Sequence, residues 1–198
     1  MPKRNVAILV FDDVEVLDFA GPFEVFNVAR ELISPEPFYV YTVALVERVV
    51  QGRGNFAVQP HYTLDTCPRP DVLIIPGGLG IRHVLKHERL LAWVQQHATT
   101  VEKLCSVCTG SLLLANAGLL AGLPATTHHG AFDELSALSP TTTVVRDQRF
   151  VDTGRIITSG GISAGIDMAL YVVQQLCGSE AQATVITEME YQWHIPAK

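Results

Sequence analysis

Cys108 is the residue around which a chemistry can be built. It stands in Ser106-Val107-Cys108-Thr109-Gly110, a small–x–nucleophile–x–small pattern between an apolar run at 102–107 and a helical pattern at 112–119. This is the pattern of a nucleophile elbow, with cysteine in place of serine. Small residues are needed on both sides because the turn is so tight that a larger side chain meets neighbouring backbone. The result is a thiol aimed at a helix N-terminus, where unpaired N–H groups and the helix dipole favour thiolate over thiol. The same residue also fits an ordinary buried cysteine, a common core type. Cys105 completes a C-x-x-C pair with it. Redox pairs of that type begin at a helix N-terminus, however, and Cys105 falls inside the expected strand.

Candidate partners lie elsewhere in the chain. Asp18 follows the first apolar run and is flanked by Val16, Leu17, Phe19 and Ala20. Its carboxyl is then partly desolvated and able to share a proton with a nearby thiol. It reads equally well as a plain helix N-cap. Pro76-Gly77-Gly78 ends another apolar run, and a glycine there lets a bare N–H approach a ligand. The N–H groups of Gly78 and Thr109 would form an oxyanion-hole-type site; a tight turn and nothing more is the simpler reading. The glycines at 77, 78 and 80 lack the spacing of a dinucleotide fingerprint. His83 and His87 have the i, i+4 spacing of a helical metal chelate, but no third ligand accompanies them, and a solvated helix face is the plainer reading. No metal and no cofactor are expected. His128 reads as a pocket wall rather than a general base.

These residues need elements to position them. Apolar runs at 5–10, 38–46, 71–75 and 102–107 are expected strands, the first of them short and continuous as in a strand buried on both faces. The segment 58–64 is expected to be a hairpin or edge strand, and 144–152 with 155–158 a hairpin turned at Thr153-Gly154. Gly21-Pro22 opens a helical pattern with Pro22 in the first turn, where its missing N–H costs nothing. Further helices are expected over 90–97, 109–120, 163–176 and 180–191. Buried strands alternating with helices argue for an α/β fold with a mainly parallel sheet covered on both faces. No repeat, linker or low-complexity stretch divides the chain, so 1–198 is expected to be a single domain.

Composition narrows the function classes. Hydrophobic residues make up 48% of the 198, which argues against disorder. The net charge is −6, with no basic cluster beyond Lys3-Arg4, so neither nucleic acid nor membrane is an expected partner. No export signal or membrane-spanning window is visible. The four cysteines are therefore expected as reduced thiols in the cytoplasm.

Four stretches together resemble the ThiJ/PfpI superfamily: 16–26, 73–80, 106–122 with Ala125-Thr126-Thr127-His128, and 158–170. Within it, the runs 106–111 and 161–167 are most similar to isonitrile hydratases, and the amidase-like domains of some AraC-type regulators share them. The resemblance implies a class I glutamine amidotransferase-like, flavodoxin-like three-layer sandwich with a nucleophile elbow. It also implies a nucleophile at Cys108, an acidic partner at Asp18, oxyanion donors at Gly78 and Thr109 with Gly77 beside them, and a pocket bordered by Thr109, Gly161, Ile162 and Ser163. A homodimer is implied as well. Peptidase members place histidine directly after the cysteine, where this chain has Thr109. Members resembling the deglycase or glyoxalase branch carry glutamate near the Asp18 position.

The expected function is a cysteine-dependent lyase resembling isonitrile hydratase. It would convert a small isonitrile to an N-substituted formamide through a Cys108 thioimidate. A cofactor-independent glyoxalase or deglycase, and a non-enzymatic sensor related to the regulator domains, are the alternatives.

Overall fold

A computed structural model describes residues 2–193 of the chain. Its central sheet has seven strands: β1 (Arg4–Leu9), β2 (Phe38–Ala44), β5 (Tyr62–Thr63), β6 (Val72–Ile75), β7 (Lys103–Val107), β10 (Phe150–Asp152) and β11 (Ile156–Ser159). Their order is β10-β11-β7-β6-β1-β2-β5, parallel throughout except for the antiparallel β10–β11 pair. Every residue of β6 is buried, as its unbroken Val-Leu-Ile-Ile run requires of a strand covered on both faces.

The helices fall into two groups. On one side α1 (Val16–Leu32), α6 (Ala164–Cys177) and α7 (Ser179–Glu188) pack on one another. The other group contains α2 (Ile81–Val84), α3 (Glu88–Ala98), α4 (Gly110–Asn116) and α5 (Phe132–Leu138), with α4 on β6 and β7. Sheet and helices make the flavodoxin-like three-layer arrangement. Two small pairs stand outside it: β3 (Val50–Gly52) with β4 (Phe56–Val58), and β8 (Pro124–Ala125) with β9 (Thr143–Val144). Among the described residues no helix is long and apolar enough to cross a membrane.

Several boundaries differ from the sequence reading. The first helix starts at Val16, so Pro22 lies inside it rather than in its first turn. Proline there leaves the Asp18 carbonyl without its helical donor. The helix survives because Phe19, Val25, Phe26 and Ala29 bury an apolar face. The segment 58–64 contributes the end of the β3–β4 hairpin and the edge strand β5. Only 150–152 of the expected 144–152 strand joins the sheet, since Val144 pairs instead in β9. His83 sits on the four-residue α2, while His87 caps α3, so the two imidazoles do not share a helix face.

The strand order reverses direction at β1, which has β2 on one side and β6 on the other. In open parallel sheets, the crevice beyond the carboxyl ends of the strands at such a reversal is where ligands bind. The segments leaving β1, β6, β7 and β11 carry Asp18, Gly77-Gly78, Cys108-Thr109 and Gly161-Ile162 to that end of the sheet.

Candidate active site

Cys108 follows β7 directly and has φ 57°, a left-handed conformation that is rare for a residue with a side chain. Such a backbone persists only where its surroundings over-determine it. Its N–H donates to the carbonyls of Ser159 and Gly160, both at 3.1 Å. Its carbonyl accepts the Thr127 hydroxyl at 2.9 Å and the Ser111 hydroxyl at 3.3 Å. Gly110 is fixed by sterics, because a Cβ there would stand 2.0 Å from the Ile75 carbonyl oxygen on β6. The strand, tight turn and following helix form an elbow.

Asp18 lies in the first turn of α1 and is fully buried. The N-cap position belongs to Glu15, so Asp18 is not the helix cap that its sequence context also allowed. Instead its carboxylate accepts two backbone N–H groups from distant loops, Gly77 at 2.9 Å and Ile162 at 3.1 Å. The Cys108 thiol lies close enough to this carboxyl for each group to shift the other's titration. Gly77 therefore anchors the acid, and its N–H is not directed at the pocket.

Burial sets the protonation of this pair. It pushes the Asp18 carboxyl up to about 7, against the Gly77 and Ile162 N–H groups that favour the charged form, with help from nearby Glu15. Burial also pushes the Cys108 thiol up to about 12, and the negative charge of Asp18 adds to this. Burial thus works against the thiolate that the helix N-terminus favours. Desolvation and an adjacent carboxylate outweigh the Thr109 donors that favour sulfur charge. Because each shifts the other, the two groups titrate as a unit.

Thr109 is the bridge between the elbow and the β6 loop. Its hydroxyl accepts the Gly78 N–H at 3.0 Å and lies 3.3 Å from the Gly78 carbonyl. Gly78, at φ 124°, takes a conformation open to glycine. Its N–H is thus engaged by the Thr109 hydroxyl rather than directed into the pocket. His128 lines the pocket with its Nδ1 accepting the Gly130 N–H at 3.1 Å, which leaves the neutral ring its proton on Nε2. Burial and the neighbouring His129 hold it below the usual imidazole range, which suits a neutral wall. Gly161 lies against that ring, and Ile162 reaches the pocket.

The cavity above Cys108 has a volume of about 280 Å³. Sequence reasoning missed several parts of its surroundings. Arg53, from the turn joining β3 and β4, pairs with Glu15 at 2.5 Å, and both line the cavity. Arg82 of α2 lines it too and pairs with Glu134 at 2.5 Å. No local motif marks a charged residue as a pocket wall; only the chain path brings Glu15, Arg53 and Arg82 to the cavity. Thr127 had a signal, because it sits within the 125–128 stretch. Cys105 is fully buried in β7, its thiol pushed up to about 12 by burial, and is a core residue rather than an accessible redox partner.

Residues 4–175 match the DJ-1/PfpI family. Isonitrile hydratase of Pseudomonas putida is 35% identical over 190 residues, covering 94% of this chain and 78% of that protein. The HTH-type transcriptional regulator GbdR of Pseudomonas aeruginosa is 28% identical over 182 residues; these cover 92% of this chain and 49% of the regulator, about half its length. Among solved structures, a THiJ/PfpI family protein from Pseudomonas syringae superposes with a TM-score of 0.87 at 30% identity, covering 100% of this chain and 78% of that one.

Proposed function

The chain belongs to the DJ-1/PfpI family, and on that premise we propose that it is a cysteine-dependent lyase hydrating a small isonitrile to an N-substituted formamide. The observation that supports this reading is the placement of a fully buried carboxyl, Asp18, beside the Cys108 thiol, where in this reading it serves as the thiol's proton partner. His128 does not take that role in this reading, since its Nδ1 accepts the Gly130 N–H and the ring sits on the pocket wall. The 35% identity to an isonitrile hydratase supports the choice of substrate class.

The Cys108 sulfur bonds to the terminal carbon of R–N≡C as its proton passes through Asp18 to that same carbon, giving the thioimidate R–N=CH–S. Water then adds to this carbon, one proton leaving through Asp18 and the nitrogen taking one. The adduct collapses to R–NH–CHO, and the sulfur regains its proton. Gly78 and Thr109 face the charge that develops during collapse. The substituent R occupies the cavity between Ile162, Ala131 and Leu79.

The test is formamide production from simple alkyl isonitriles. Wild type is expected to turn over; Cys108→Ser and Asp18→Asn are expected to lose activity by at least about a hundredfold. An intact wild-type protein that leaves isonitriles unchanged overturns the reading. Lactate from methylglyoxal would then favour a glyoxalase. Inertness to both would favour a ligand sensor, a reading supported by the 28% identity to GbdR. The same proposal includes a homodimer: Leu17 on α1 and Phe56 on the β3–β4 hairpin are large apolar side chains left exposed, Phe56 at 54%.

A further inference from the structure

The loop between β11 and α6 touches both members of the dyad. Its Gly160 carbonyl shares the Cys108 N–H with that of Ser159, and its Ile162 N–H donates to Asp18. Ile162 has φ 57°, a conformation that a β-branched residue keeps only when it is held there. Arg149, just before β10, holds both ends of this loop. Its main-chain carbonyl accepts the Gly160 N–H at 2.8 Å, and its guanidinium reaches the Ser163 hydroxyl at 3.2 Å.

That guanidinium is itself fixed by Asp167 on α6, whose Oδ2 lies 2.5 Å from both Nε and Nη2. Asp167 is fully buried, and Tyr191 also interacts with it. A buried carboxylate is retained only where partners compensate its desolvation. Neither Arg149 nor Asp167 lines the catalytic cavity. We propose that the Arg149–Asp167 pair is a positioning device for the dyad: it clamps loop 160–163 so that one end stays on the Cys108 amide and the Ile162 N–H stays on Asp18.

The consequence has a definite sign. The Ile162 N–H stabilises the charged form of Asp18, so releasing it moves the carboxyl's titration upward. The other ionisable groups facing Asp18 are Glu15 on its own helix end and Cys108 on the elbow, with Arg53 paired to Glu15. Glu15 and Arg53 pair with each other and not with Arg149 or Asp167, while Cys108 is reached through the Gly160 carbonyl of the clamped loop.

The experiment is the rate of Cys108 alkylation by iodoacetamide against pH, read by intact mass with Cys108→Ser as the blank. Arg149→Met and Asp167→Asn are expected to move the lower inflection upward by about half a pH unit or more. Arg149→Lys, which keeps the charge but not the fork, is expected to fall between them and wild type. Ser163→Ala is expected to shift the same way by less, and it keeps the test alive where the larger changes prevent folding. Val94→Ala, buried in α3, is expected to lower the melting temperature without moving the inflection. Profiles superimposable on wild type in folded Arg149, Asp167 and Ser163 variants overturn the proposal. It rests on the dyad of the proposed function but not on the isonitrile. A wild type inert to isonitriles, with shifted variants, would overturn the substrate and leave the clamp standing.

Discussion

Between Cys108 and Asp18, burial raises the proton affinity of both groups; the charge of Asp18 makes the thiol harder to ionise, whereas the thiol favours the charged carboxylate. Asp18 has a consequence for stability that can be measured without substrate. Its folded value of about 7 stands above the ordinary 3.8, so it remains protonated in the native protein after it has ionised in the unfolded chain. Stability from this group is complete below about pH 4 and is lost as pH rises through about 7. The total is on the order of 4 kcal/mol. Denaturant melts at several pH values are expected to show wild type losing stability relative to Asp18→Asn across that window, with parallel behaviour above it. A constant difference across the window would mean that Asp18 titrates normally. Thiol labelling belongs to the same scale. At mildly alkaline pH, alkylation of the native protein is expected to leave Cys105 unmodified, because its thiol is fully buried, and unfolding is expected to expose it. Peptide mapping reads both states.

The elbow is where the element scale decides most. Gly110→Ala places a methyl group 2.0 Å from the Ile75 carbonyl oxygen, and the flanking strands leave no room to relax. The expected cost is about 3 kcal/mol or more in a urea melt. Thr127→Val removes the hydroxyl that holds the Cys108 carbonyl, at an expected cost of about 1–2 kcal/mol. The Ser106–Gly110 pattern announced this turn, because small residues around a nucleophile have few other uses. Other elements were less legible. Pro22 reads locally as a helix start, yet α1 begins six residues earlier, since packing of its apolar face outweighs one missing hydrogen bond. The short α5, together with β8 and β9, carries little periodicity of its own. These segments are shaped by what they cover.

At the scale of the whole molecule, the reversal of strand order at β1 gathers four loop segments at one end of the sheet. The exposed Leu17 and Phe56 lead to a further expectation at this scale, a particle of twice the monomer mass in light scattering. Phe56→Glu is expected to weaken it, and a monomeric wild type at micromolar concentration would remove the dimer from the proposal. What the sequence by itself determined was the chemical inventory and the local grammar. Buried strands alternating with helices, a cysteine on a tight turn, an aspartate after the first strand and a glycine pair after another are patterns confined to a few adjacent residues. What only the tertiary structure decided was which of those residues meet and with what charge. Asp18 ties two loops together rather than capping its helix because its hydrogen-bond donors come from positions 59 and 144 residues away. Gly77 serves the acid rather than the substrate for the same reason, and Arg53 joins the cavity through a hairpin with no motif. Desolvation is a property of everything packed around a group, so burial pushes the Cys108 thiol up where local context alone favours a thiolate.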